Sequence, residues 1–138
     1  MLFRAARLWN EEAMARVQRR APAARLAHTT LLPHIDLDGT RQTEIARRAG
    51  ISKQAVGQLV DDLVALGMLS RVPDPRDGRA QLVRFTDEGI AQLLVGLDVL
   101  DEIEIDLGGD VGAGALDRLR QGLAKLLPAL ERLSAQRG

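Results

Sequence analysis

Between Gln42 and Leu66 the apolar positions fall into two short runs at helical spacing. In the first, Gln42 to Ala49, the residues Ile45, Ala46 and Ala49 make one buried stripe. Gly50 follows, and a residue that takes positive φ without steric cost suits a helix end. Ser52 stands where a second helix should begin, with a hydroxyl able to cap the free backbone N–H groups there. From Lys53 to Leu66 the stripe is Val56, Leu59, Val60, Leu63 and Leu66, which leaves Lys53, Gln54, Gly57, Gln58 and Asp61 largely on the opposite face. Gly67 ends that helix. Met68 to Val72 then reads as a strand, and Gln81 to Thr86, alternating polar and apolar, as its antiparallel partner. Between them Pro73 to Ala80 is a turn-rich tip carrying Arg76 and Arg79.

The flanks are helical by the same criterion. Leu2, Ala6, Trp9, Ala13 and Val17 define a first helix, Leu2 to Arg20. Ala21-Pro22 breaks it, and Pro22 can open a second helix that runs to about Leu32, because Pro33 disfavours helical geometry in the residue before it. Asp36 to Gly39 is a turn, after which Thr40 can cap the next helix. Beyond the hairpin, Asp87 to about Leu107 is a long helix with Ile90, Leu93, Leu94, Leu97, Leu100 and Ile103 on its apolar face. Gly108-Gly109 is expected to end it, and Asp110 to Gly114 to form a turn. In the last helix Leu116, Leu119, Leu123, Leu126, Leu130 and Leu133 alternate by three and four, an a/d seam that needs a partner. Pro128 should bend that helix near its end.

Composition narrows the picture. A chain of 138 residues is enough for one domain with a core, and with 2% aromatic residues that core must be Leu, Val, Ile and Ala. Cysteine is absent, so there is no disulfide, no thiolate metal site and no thiol redox switch. His28 and His34 are six apart with a proline between them, which is not metal-ligand spacing. No apolar run approaches membrane-spanning length, so a cytoplasmic protein is the expectation. The 19 basic and 19 acidic residues cancel, yet they are segregated. Residues 1–27 hold six arginines against two glutamates, and residues 41–86 hold eight basic against five acidic residues. Residues 87–110 hold eight acidic residues and no basic one. Such patterning, more than the sum, sets what a surface attracts.

Two helices joined by a short glycine-containing turn, the second with a polar outer face, are the signature of a helix-turn-helix. A basic hairpin behind it makes a winged helix. The sequence here resembles the multiple-antibiotic-resistance regulator (MarR) family. The matching pieces are E-I-A-R-R-A-G-I-S-K-Q-A-V (44–56), D-L-V-A-L-G-M-L (62–69), and the wing residues Asp77, Arg79, Phe85 and Thr86, followed by D-E-G (87–89). They cover about a third of the chain, and the flanking helices fit the rest. The expected fold is mainly α with a small antiparallel β-hairpin, in a single domain (1–138). Within it, 36–86 is a winged helix-turn-helix and 1–35 with 87–138 are dimerisation helices. The resemblance implies a homodimer through terminal helices, so Leu2, Trp9, Leu116, Leu119, Leu123, Leu126 and Leu130 are candidate dimer residues. Packing of the leucine seam within one chain is the alternative.

The resemblance implies double-stranded DNA, with a pseudo-palindromic operator, as the partner. Gln54 and Gln58, one turn apart, suit bidentate bonding to adenine in the major groove, and Lys53 suits guanine or phosphate. Ser52, Gln42 and Thr43 are phosphate candidates near helix starts. Arg76 and Arg79 suit a flanking minor groove, and the resemblance assigns Asp77 to orient Arg79. Gly57 stands where many relatives of this kind have a small hydroxyl residue; it removes one DNA contact or permits close backbone approach. A repressor released by a small-molecule effector is the expected function, the effector cleft falling near Trp9, Arg25, His28 and Leu93–Leu97. A winged helix serving only as a protein-interaction module is the alternative, and salt-dependent DNA binding separates the two. No catalytic constellation, metal spacing or dinucleotide glycine pattern is present, so neither an enzyme nor a cofactor is expected.

Overall fold

The computed structural model describes residues 1–136. The chain divides into two compact units, Met1–Val99 and a second beginning at Leu100. The first contains α1 (Leu2–Arg20), α2 (Leu26–Leu31), a 3-10 turn (Leu32–His34), β1 (Thr40–Arg41), α3 (Gln42–Ala49), α4 (Lys53–Ala65), β2 (Leu69–Asp74) and β3 (Asp77–Phe85). Helix α5 (Asp87–Val111) contributes to both units, and α6 (Ala113–Ala135) belongs to the second.

The core of the first unit grows out of the two periodic runs. Ile45 and Ala46 of α3 and Val56, Val60 and Leu63 of α4 are buried, together with Leu31, Ile35, Leu69, Val83 and Phe85. Burying each large aliphatic side chain of this set is worth about 1.5–3 kcal/mol. Gly50 takes φ 67° at the end of α3, as its position requires. Ser52 accepts the Ala55 N–H at 3.1 Å and caps α4. The sheet has the order β1-β3-β2, all antiparallel, with Leu69 opposite Phe85 and Thr40 opposite Val83.

Several expectations need correction. Pro22 does not open a helix: α2 begins at Leu26, after the 21–25 connection, and Pro33 sits inside the 3-10 turn, where its missing N–H costs little. Thr40 does not cap α3. It lies in β1, its hydroxyl accepts the Asp36 N–H at 2.8 Å and donates to Asp36 Oδ2, and Arg41 stands at the N-cap without a side-chain cap. The wing strands run further than the alternating pattern suggests, leaving only Pro75-Arg76 as the tip, because a bulge at Pro73/Asp74 absorbs the irregular residues. A third strand, β1, joins the hairpin; two residues are too few for a periodic signal.

The long helix α5 passes through Gly108-Gly109, since a glycine costs about 1 kcal/mol in a helix but does not forbid it. The stop comes at Gly112, with φ 84°. Its expected apolar face is only partly buried: Ile103 is buried, while Ile90, Leu94 and Leu97 are exposed, and Val99, which the periodicity does not place on that face, is buried. Helix α6 is continuous through Pro128.

The junction between wing and α5 is built on a close approach. Thr86 Oγ1 donates to the Gly67 carbonyl, and the Gly89 N–H donates back to Thr86 Oγ1 at 2.9 Å. A Cβ at position 89 would stand 1.9 Å from the Met68 carbonyl oxygen. Gly57 is different, because a Cβ there would meet only the flexible end of Gln42, at 3.1 Å. Gly89→Ala should therefore lose about 3 kcal/mol or more by overpacking against backbone. Gly57→Ala should gain up to about 1 kcal/mol from helix propensity. Urea unfolding of both variants checks the pair; equal effects of the same sign would contradict the geometry.

Candidate nucleic-acid interface

Helix α4 is buried along one stripe, so its other face must be solvated. Lys53, Gln54 and Gln58 are exposed there, and Gly57 is half-buried between them. Ser52 uses its oxygen as the cap acceptor, which leaves the hydroxyl proton free to donate. Gln42 turns back over α4: its Nε2 lies 3.5 Å from the Lys53 carbonyl and against Gly57. The space freed by Gly57 is thus taken by Gln42. Thr43, next along α3, is exposed.

A groove of about 550 Å³ opens beside these residues, lined by Arg41, Gln42, Thr43, Arg71, Arg79 and Gln81 among others. It joins the start of α3, whose first N–H groups lack a side-chain cap, to the wing. Free helix-start N–H groups and cations on one cleft favour an anion. The pattern of hydrophobic positions singled out neither Arg41 nor Arg71. Their one sequence signal is charge in the 41–86 segment.

Carboxylates decide which cations remain available. Arg71 pairs with Asp61 at 2.6 Å, and Arg41 with Asp74 at 2.7 Å. Arg47 and Arg48 both bond Glu44, and Arg48 also reaches Asp36 at 2.9 Å. Among the described residues no carboxylate pairs with Lys53 or with the Arg79 guanidinium. Asp77 does not orient that guanidinium: its Oδ1 accepts the Arg79 backbone N–H at 3.2 Å, and its Oδ2 lies 3.7 Å from Arg41. A two-residue offset places Asp77 beneath the backbone of Arg79, as in an Asx turn. Arg76 leans toward Asp74, donating its backbone N–H at 2.9 Å.

The residues expected at an effector cleft are partly gathered. Arg25 and His28 converge on Asp62 of α4, each 3.7 Å from Oδ2. His28 is buried, and its Nε2 has no hydrogen-bond partner among the described residues. Leu93 packs on the core and Trp9 is half-buried. No metal-binding group and no helix long and apolar enough to cross a membrane occur among the described residues.

A helix with a solvated polar face, an uncapped helix start and a three-stranded wing together define a winged helix-turn-helix protein. The MarR family model matches residues 26–80. Over 66 residues the chain is 38% identical to the uncharacterized HTH-type transcriptional regulator YdgJ of Bacillus subtilis (strain 168), covering 48% of this chain but only 39% of that protein. Similarity of structure extends further. The transcriptional repressor CouR, bound to a 23-mer DNA duplex, superposes with a TM-score of 0.72 at 29% identity over 91% of this chain and 89% of that one. The regulator BldR from Sulfolobus solfataricus shares the fold, with a TM-score of 0.71 at 24% identity over 93% and 90% of the two chains. Residues 26–80 are thus similar to the MarR family, and the chain has the winged-helix fold. That family and fold are those of transcriptional regulators, not of enzymes.

The charge network on α3 makes a pH prediction. Hydrogen bonds from Arg47 and then Arg48 lower the Glu44 carboxyl from its ordinary 4.5 to about 2. Asp36 is lowered too, chiefly by its hydrogen bond from Arg48. A carboxyl lowered by folding stabilises the fold above its unfolded pKa and loses that contribution as pH falls through the folded one. Stability should therefore fall between about pH 4.5 and pH 2, and Glu44→Gln should flatten that limb of the profile. Thermal melts across this range are the check; an unchanged slope in the variant would contradict the network.

Proposed function

We propose that the chain is a dimeric, sequence-specific DNA-binding transcriptional regulator, and that it acts as a repressor released by a small molecule. The observation that carries the DNA reading is the selective pairing of charge. Most arginines around the winged helix are held by carboxylates. Among the described residues Lys53, beside the exposed amides of Gln54 and Gln58 on α4, and Arg79 and Arg84 on the wing have no carboxylate partner. In this reading α4 enters the major groove, where Gln54 and Gln58 contact base edges and Lys53 a base or phosphate. Ser52, Gln42 and Thr43 hold phosphates. The wing, with Arg79 foremost, Arg76 beside it and Asp77 shaping the turn, follows a flanking minor groove. The similarity to CouR, a repressor bound to DNA, supports the repressor role.

Dimerisation is supported by apolar surface left uncovered in one chain. On α6, Leu119, Leu123, Leu126 and Leu130 are between 42% and 55% exposed, too much for a core seam, and on α1 Leu2 is 53% exposed. Leu116 and Trp9 are half-buried. A second copy of the chain is the occupant proposed for these surfaces, the helices of 1–35 and 87–138 forming the dimer region around the 36–86 reading heads. An effector acting near Arg25, His28 and Asp62 would touch the reading helix α4 directly, which supports release by that route.

Gln58→Ala should cost about 1–3 kcal/mol on the best site and relax preference at one position per half-site. Arg79→Ala should weaken binding on all sequences, most with A·T-rich flanks. It should also reduce the salt slope by about 0.9 for each phosphate that is no longer neutralised, about twice that for a dimer. Binding titrations at several salt concentrations check both, and no loss in either variant would favour a protein-interaction module instead.

Leu123→Glu places a charge at the centre of the proposed seam and should give a monomer with little specific affinity. Light scattering that finds an intact dimer would contradict the seam.

A further inference from the structure

The wing tip and the start of α3 are tied together by one buried carboxylate. Asp74 is 1% exposed, and both of its oxygens are occupied. Oδ2 accepts Arg41 Nε at 2.7 Å, with Arg41 Nη2 in ion-pair contact at 2.7 Å, and Oδ1 accepts the Arg76 backbone N–H at 2.9 Å, with Arg76 Nε at 3.5 Å. Arg41 and Val72 both lie opposite Leu82 on β3, so the Arg41 side chain reaches across the central strand to the end of β2. Arg41 is also the N-cap residue of α3. Its neighbour Gln42 rests on Gly57 and approaches the Lys53 carbonyl at the start of α4.

We propose that Asp74 is a positioning residue for DNA binding, acting through Arg41 and Arg76 to hold the wing, and with it Arg79, at a fixed offset from α4. The proposal rests on the DNA-binding reading above. Asp74 itself is shielded and negative, so it has nothing to offer a phosphate. Its bonds add a side-chain link between the start of α3 and the end of β2 to the two residue pairs by which β1 joins β3. Without that tie, Arg79 would still be present but would have to be ordered on each binding event, which lowers affinity while every DNA-facing side chain stays in place.

The test uses the full chain and a duplex selected by the wild-type protein from a random pool. Asp74→Asn keeps the shape of the side chain and an acceptor for the Arg76 N–H, but weakens the hold on Arg41. Its affinity should fall about 10-fold, and the loss should be non-additive with that of Arg79→Ala, because residues acting as one unit couple. Losses that multiply in the double variant, or an unchanged affinity, would overturn the proposal. Should Asp74→Asn fail to fold, Arg41→Lys decides. It keeps the cation but not the paired donors, so affinity should fall at an unchanged salt slope; wild-type affinity would again overturn the proposal.

A readout without DNA completes the test. The chain has no cysteine, so nitroxides can be placed through Gly78→Cys, a site with nothing within 4 Å of an added Cβ, and through exposed Gln54→Cys. The distance distribution between them should broaden in Asp74→Asn or Arg41→Lys, and an unbroadened distribution contradicts positioning. A wild-type protein that binds no duplex would end the DNA reading as a whole. Wild-type binding with unaffected variants would end only the role of Asp74.

Discussion

Burial of one stripe of α4 is the constraint on which the rest depends. Val56, Val60 and Leu63 are each 0% exposed, locked among α2, α3 and the sheet, and this fixes the rotation of the helix about its axis. With the stripe inside, Lys53, Gln54 and Gln58 face solvent from adjacent turns. The polar face is therefore a consequence of packing, and its composition is free to serve recognition. Gly50 and the Ser52 cap matter for the same reason: they set where α4 starts, and hence which residues lie at its exposed end.

Charge is arranged with a similar economy. The segment 41–86 has only three more basic than acidic residues, too few for a strongly attractive surface if all were equal. Pairing makes them unequal. Arg47 and Arg48 brace α3 through Glu44 and Asp36, Arg71 is held by Asp61, and Arg41 by Asp74. The exposed pairs among these, all but that of Arg41 with the buried Asp74, add little stability singly. What they change is which cations remain available: among the described residues Lys53, Arg79 and Arg84 have no carboxylate partner, and Arg79 lines the groove that also receives the start of α3.

The parts of the fold legible in the sequence are those with a strong local signal. The 3.6-residue spacing of Ile45, Val56, Val60 and Leu63 marks α3 and α4 correctly, and positive φ at Gly50 marks the turn. What is not legible depends on distant partners. Pro22 carries the local signature of a helix start, yet α2 forms only from Leu26, where His28 and Leu31 reach buried positions. Gly108-Gly109 carries the signature of a helix end and is overridden, while Gly112 stops the helix. At the candidate site, the exposed residues of α4 follow from periodicity alone. The role of Asp74 does not, because its partner Arg41 is 33 residues away and nothing local joins them.

Two such reading heads should address successive major grooves while the wings follow the flanking minor grooves. Chemical footprinting on a selected duplex tests this most directly, with dimethyl sulfate reporting the major groove and hydroxyl radicals the backbone and minor groove. Two major-groove patches centred about 10 base pairs apart are expected, each flanked outward by minor-groove protection. Protection confined to a single patch, or none under conditions where the protein is folded, would contradict this mode of binding.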